Sequence, residues 1–195
     1  MRCTVLMLLA LVCGTATNAQ TYEHKKQPSF QLNFGLSDFQ SAQNFRAGNA
    51  RLGGKRLVNP NQMDPAFGLG YVQGLTNHFD IAATYLLSST VYPYRDKPNT
   101  SFAGASILQE ADVSLRMKLL SDNYAVVPYL QGGIGASAYR KKFDAFMPVG
   151  AGLQVRLGGH TFANANVQYR LPVTARANYH FVYTVGIISS IKSQK

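Results

Sequence analysis

Glu110, Asp112, Arg116 and Lys118 stand on alternate residues of one stretch of the chain, with Ser114 completing the row. A second polar row, Asn164, Asn166, Gln168 and Arg170, repeats the spacing, and Arg156 holds the matching face of the segment before it. On extended backbone, residues two apart share a face, so each row places its polar groups on one side. Carboxylates and cations gathered this way either neutralise one another or line a path for ions or water. Inside a narrow barrel pairing is the expected outcome, a salt-bridged plug, because an unpaired buried charge is far more costly than a paired one. A gated ion or water path would use the same residues and is the second reading.

Other chemistries find less support. His180 and scattered serines could be drafted into a lipid A hydrolase or acyltransferase, but no nucleophile motif surrounds them, so no catalytic residue is expected and the chain reads as a non-enzyme. His24, His78, His160 and His180 lack metal-ligand spacing. Gly68-Leu69-Gly70, Gly133-Ile134-Gly135 and Gly150-Ala151-Gly152 neither complete a phosphate-loop spacing nor open a helix, so no cofactor is expected.

The chain carries a formal net charge of +10, with basic residues clustered between the apolar segments. No nucleic-acid-binding signature accompanies them, and nucleic acid is not an expected partner. Arg46, Arg51, Lys55, Arg56, Lys141 and Lys142 are the candidate surface contacts, suited to anionic lipid headgroups and lipopolysaccharide phosphates; an extracellular ligand is not named by the sequence.

The elements that must position these residues are strands. From Val149 to Leu157 every odd residue is apolar and every even one is Gly, Gln or Arg, a period of two that extended backbone alone can use. Eight such segments are expected, near residues 29–37, 66–75, 79–87, 106–120, 125–139, 149–157, 162–171 and 179–187. Tight turns are predicted at 76–78, 121–123 and 158–160, and long breaks at 38–64, 92–99, 141–145 and 172–178, the first read as an irregular loop. Both chain ends then fall on the side of the short turns. Tyr and Phe crowd the apolar faces and strand ends, where amphipathic rings suit a membrane interface. An even number of antiparallel strands can close without leaving an edge in lipid, so the expected fold is all-β, an eight-stranded antiparallel transmembrane up-and-down barrel.

Residues 1–19 read as an export signal: Arg2, an apolar run from Val5 to Val12, and Thr17-Asn18-Ala19 before the expected cleavage. The apolar run is too short for a membrane-spanning helix. Cys3 and Cys13 would leave with it, so no disulfide is expected in the mature chain. Residues 20–28 form a short arm and 29–195 the barrel domain.

Val127-Pro128-Tyr129-Leu130-Gln131-Gly132-Gly133-Ile134-Gly135-Ala136, followed by Pro148-Val149-Gly150-Ala151-Gly152-Leu153, resembles the central hairpin of the small eight-stranded outer-membrane β-barrel family, of the OmpA transmembrane-domain type, in a form familiar from Bacteroidetes. The resemblance spans most of residues 29–191. It implies a bacterial outer-membrane location, assembly by the barrel-insertion machinery, and a structural or surface-interaction role in the cell envelope. The family's last strand commonly ends at an aromatic residue, where this chain continues Ile191-Lys192-Ser193-Gln194-Lys195. Many relatives continue into a peptidoglycan-binding domain, and without one no direct cell-wall anchor is expected.

Overall fold

The computed structural model describes residues 25–47, 63–92 and 105–191. The expected export signal and the candidate contacts Arg51, Lys55 and Arg56 lie outside them. The strands are β1 (Ser29–Asp38), β2 (Asp64–Gly74), β3 (Phe79–Thr90), β4 (Ser106–Lys118), β5 (Val126–Tyr139), β6 (Lys142–Gly158), β7 (Thr161–Pro172) and β8 (His180–Ser190). Each pairs antiparallel with its sequence neighbour, and β1 pairs with β8 from Ser29↔Ser190 to Asp38↔Phe181, closing the ring. Closure satisfies the edge hydrogen-bonding groups that an open sheet would leave unpaired.

The barrel is inverted relative to a water-soluble one. Phe34, Val113, Ile134 and Leu153 point outward and are 56%, 47%, 71% and 47% exposed, whereas Arg116 and Lys118, inside, are 1% and 2% exposed. Outward apolar residues run all round the wall, far beyond the few hundred Å² of apolar patch a soluble monomer tolerates. Inside, small residues make room for large ones. Gly152 faces the lumen beside Tyr129, and a Cβ at that position would overlap the phenol ring.

Two connections differ from expectation. Residues 39–46, read as irregular loop, form helix α1 (Phe39–Arg46); Asp38 caps it, its Oδ1 accepting the Ser41 N–H at 2.8 Å. So short a helix is marginal alone. It is held by Phe39, which enters the barrel mouth against Tyr92, and by Phe45, whose ring meets Tyr169 and Phe181. Residues 141–145, read as a long break, belong mostly to β6, which starts at Lys142 and turns back from β5 through Arg140 and Lys141 alone. Both turn residues have positive φ, 46° and 64°, the mirror-image geometry that matches the twist of paired strands. Asn-Gly usually marks such a turn, and its absence hid this one.

The arm before β1, the end of β8 and the 75–78, 119–125 and 159–160 connections share one end of the barrel, called here the terminal end; α1 and the Arg140–Lys141 turn mark the far end. Pro148 sits midway along β6. It stays in register with Arg170 of β7, but the pairing with β5 lapses between Gly132↔Val149 and Gly135↔Phe146, as a residue without an N–H requires.

Candidate functional site

The lumen contains two ion-pair clusters separated by a belt of amides. At the far end, β4 supplies Glu110 and Asp112, β7 supplies Arg170 and β8 supplies His180. The Arg170 guanidinium pairs with Glu110 and reaches Asp112 at 3.6 Å, while its face lies 4.7 Å from the Phe146 ring centroid. His180 sets Nε2 3.2 Å from Glu110 Oε1 and Nδ1 3.2 Å from the Asn178 carbonyl. Phe39 stacks on the imidazole at 4.5 Å, and Tyr92 and Tyr139 complete an aromatic cover. The Tyr139 hydroxyl donates to the Thr90 carbonyl at 3.0 Å, tying that cover to β3.

Midway, Arg116 donates to Gln31 Oε1 at 3.0 Å and lies 5.2 Å from the Tyr129 ring, and Tyr129 donates to Asn164 Oδ1 at 2.8 Å. Asn166 donates to Gln131 at 3.2 Å, and Gln31 to Asn33 at 2.6 Å. The void among Gln31, Asn33, Arg116, Asn166 and Gln168 measures about 10 Å³, room for about one water molecule.

At the terminal end, Lys118 bridges Asp80 at 2.8 Å and Asp122 at 2.6 Å. Lys26, from the arm before β1, enters beside it, reaching Asp80 at 3.0 Å and Asp122 at 3.6 Å and hydrogen-bonding Gln154. Burial pushes the Lys26 ammonium below its ordinary lysine pKa, against the upward pull of the two aspartates. Its backbone is held too, with the Gly74 N–H donating to the Lys26 carbonyl at 3.0 Å. Two cations thus face two carboxylates in this cluster. Glu110 and Asp112 likewise face Arg170 and, one amide layer away, Arg116.

The arrangement fills the barrel. Of the residues expected to share the lumen, Glu110, Asp112, Arg116, Lys118, Asn164, Asn166, Gln168 and Arg170 are all buried inside it. Arg156 is a correction: it is exposed at the terminal mouth, 5.9 Å from the Phe162 ring centroid. It keeps the inward phase, paired with Phe162 of β7, but stands where the lumen opens to solvent, lining a hollow with Lys26 and Asp122. The expected basic contacts are dispersed. Arg46 lies 3.9 Å from the Tyr179 ring centroid, just before β8, whereas Lys141 and Lys142 belong to the β5–β6 hairpin.

Sequence reasoning leaves Lys26, Asp80, Asp122, Gln31, Asn33, Gln131 and Gln154 out of the lumen set, and weighs His180 only for catalysis and metal binding. Asp80, Gln31 and Asn33 carried a usable signal, the polar phase of their strands; Lys26 and Asp122 lie in an arm and a turn, where no period operates. The ring nitrogens of His180 stand within 3.2 Å of the Glu110 carboxylate and the Asn178 carbonyl. Among the described residues, no group of three or more His, Cys, Asp or Glu could hold a metal ion.

No family model matches the chain, and no curated protein does either. Among solved structures it is similar to the N-terminal β-barrel domain of Pseudomonas aeruginosa OprF, with a TM-score of 0.56, 12% identity, and coverage of 84% of this chain and 97% of that one. It is also similar to Neisserial surface protein A, again at a TM-score of 0.56, with 11% identity and coverage of 87% and 100%. At such identities the likeness establishes the closed eight-stranded barrel and nothing finer.

Proposed function

We propose that this chain is a bacterial outer-membrane β-barrel, exported with a cleaved signal, that serves the envelope structurally or through surface contact rather than by catalysis. One observation carries the reading: the wall is apolar where a soluble barrel is polar, and the interior is a set of mutually neutralised charges. In water that exterior would drive aggregation; in hydrocarbon it is the stable face, and the strands' internal pairing satisfies the backbone. The likeness to the OprF barrel domain and to a Neisserial surface protein supports the location and the role.

A packed lumen of paired charges fits a rigid plug better than a conducting path. Outer-membrane lipids, lipopolysaccharide and the barrel-insertion machinery are the partners this reading requires, with the far end facing outward.

The test is fractionation of the expressing cell followed by gel migration of unboiled and boiled samples. The protein is expected in the outer-membrane fraction and to shift in apparent size on boiling, as a folded barrel gives way. Recovery as a soluble periplasmic monomer would overturn the proposal. Steady unit currents in a planar bilayer, abolished by Arg116→Met, would replace the plug with a pore.

A further inference from the structure

Among the described residues, the terminal mouth carries more positive charge than it neutralises. Lys26 and Lys118 are matched there by Asp80 and Asp122, but Lys25 and Arg156 have no ion-pair partner among those residues. Both line a hollow of about 160 Å³, together with Lys26, Asp122, His160 and Phe162. Its walls are the arm, the inward faces of β6 and β7, and the 119–125 and 159–160 connections, so it lies at the end of the lumen and not on the apolar wall.

Backbone contacts fix both unmatched cations. The Lys26 carbonyl accepts the Gly74 N–H at 3.0 Å and the Pro28 carbonyl accepts the Ile191 N–H at 2.9 Å, which pins the arm directly after Lys25. On β6 the Arg156 N–H donates to the Ala125 carbonyl at 2.8 Å. Phe162, buried, lies beneath, its ring centroid 4.9 Å from the Lys26 ammonium and 5.9 Å from the Arg156 guanidinium. The carboxylate that lines the hollow is already committed: Asp122 sets Oδ1 3.6 Å from Lys26 and Oδ2 2.6 Å from Lys118. Lys26 is committed too, to Asp80, Asp122 and Gln154. The charge left for a ligand is that of Lys25 and Arg156, with the His160 ring beside them.

Size and charge then select the ligand. Small-molecule pockets start near ~300 Å³, so this hollow suits a compact charged head and not a whole metabolite. Two unmatched cations are balanced by a dianion, and a phosphate monoester carries a charge of about −1.5 to −2 at pH 7 on three acceptor oxygens. A guanidinium offers paired N–H donors to two such oxygens, and a lysine adds a point charge. A carboxylate, with a single charge, would leave one of the two cations unmatched.

We propose that the terminal mouth binds a phosphate group, inorganic or monoester, between Lys25 and Arg156. The site needs the closed barrel and not the membrane, so it goes beyond the envelope reading and stands or falls separately from it. Two sources carry the group: a water-borne phosphate, and the head of a phosphatidic acid at the rim.

The test is calorimetric titration of the folded chain in octyl glucoside, which contains no phosphorus. One arm uses inorganic phosphate and the other phosphatidic acid in mixed micelles. The expected result is saturable one-site binding of inorganic phosphate with a Kd of about 1 mM or tighter at low salt. Arg156→Gln and Lys25→Gln should each weaken it about tenfold or more, the effect of losing one charge-assisted hydrogen bond. Arg176→Gln, a basic residue removed from the far end, should leave it unchanged. Lys25 and Arg156 are both exposed, so their variants are expected to fold, and the gel shift on boiling checks that they do. Saturable binding of phosphatidic acid alone, lost in the same two variants, supports the site and assigns its phosphate to a lipid. Absence of binding in both arms overturns the site, as does binding that survives both substitutions or falls equally in Arg176→Gln. None of these results bears on where the barrel resides, which fractionation reads independently.

Discussion

At the far end of the lumen Glu110, Asp112, Arg170 and His180 all come from strands, whereas at the terminal end only Asp80 and Lys118 do, and Lys26 and Asp122 come from the arm and a turn. The far cluster is assembled by register alone: once β4, β7 and β8 take their places, its four side chains are already neighbours. The terminal cluster needs two further segments to be seated. Similar charges can thus be an automatic product of closure or a separate ordering event, and the two should respond differently to substitution.

The largest effect is expected from Arg170→Met, which strands Glu110 and Asp112 in a dry interior; a loss of about 3–5 kcal/mol is expected, read from the urea-unfolding midpoint of the barrel refolded in vesicles. A loss under about 1 kcal/mol there would show that water reaches the cluster and that the far end is less sealed than its aromatic cover suggests. Asp80→Asn should cost less, about 1.5–3 kcal/mol in the same assay, because Asp122 still faces both lysines. Lys26→Met is expected to cost only about 1–2 kcal/mol, since Lys118 continues to bridge both aspartates. If Lys26→Met proved as harmful as Arg170→Met, the contrast between the clusters would vanish. Replacing Arg140-Lys141 with Asn-Gly should stabilise the barrel by about 1 kcal/mol by relieving two left-handed side-chain-bearing residues, and it touches neither cluster.

The same contrast explains what the sequence made legible. Strand count, the phase of each face and most of the lumen row follow from the period of two, which is imposed by pleating and survives without knowledge of neighbours. Glu110 and Arg170 were expected to share an interior on that basis, though nothing in the spacing said they would pair. Lys26 was unreadable because one lysine in a nonperiodic arm has no phase. Helix α1 was missed because its residues, Gln, Asn, Ser and Arg among them, show weak amphipathicity; aromatic contacts with the barrel rim stabilise it. Arg156 has the phase that alternation gives it, but alternation says nothing of depth, and at the terminal mouth that face meets solvent.

The Lys26 arm also bears on how the ring is shut. The Ile191 N–H, just beyond β8, donates to the Pro28 carbonyl at 2.9 Å, so the segment carrying Lys26 lies along the seam where first and last strands meet. Its ammonium reaches from that seam across the mouth to Asp80 of β3 and Gln154 of β6, so one side chain laces the closing edge to strands on other sides of the ring. A chain lacking Lys26 would close with the terminal-end carboxylates one cation short.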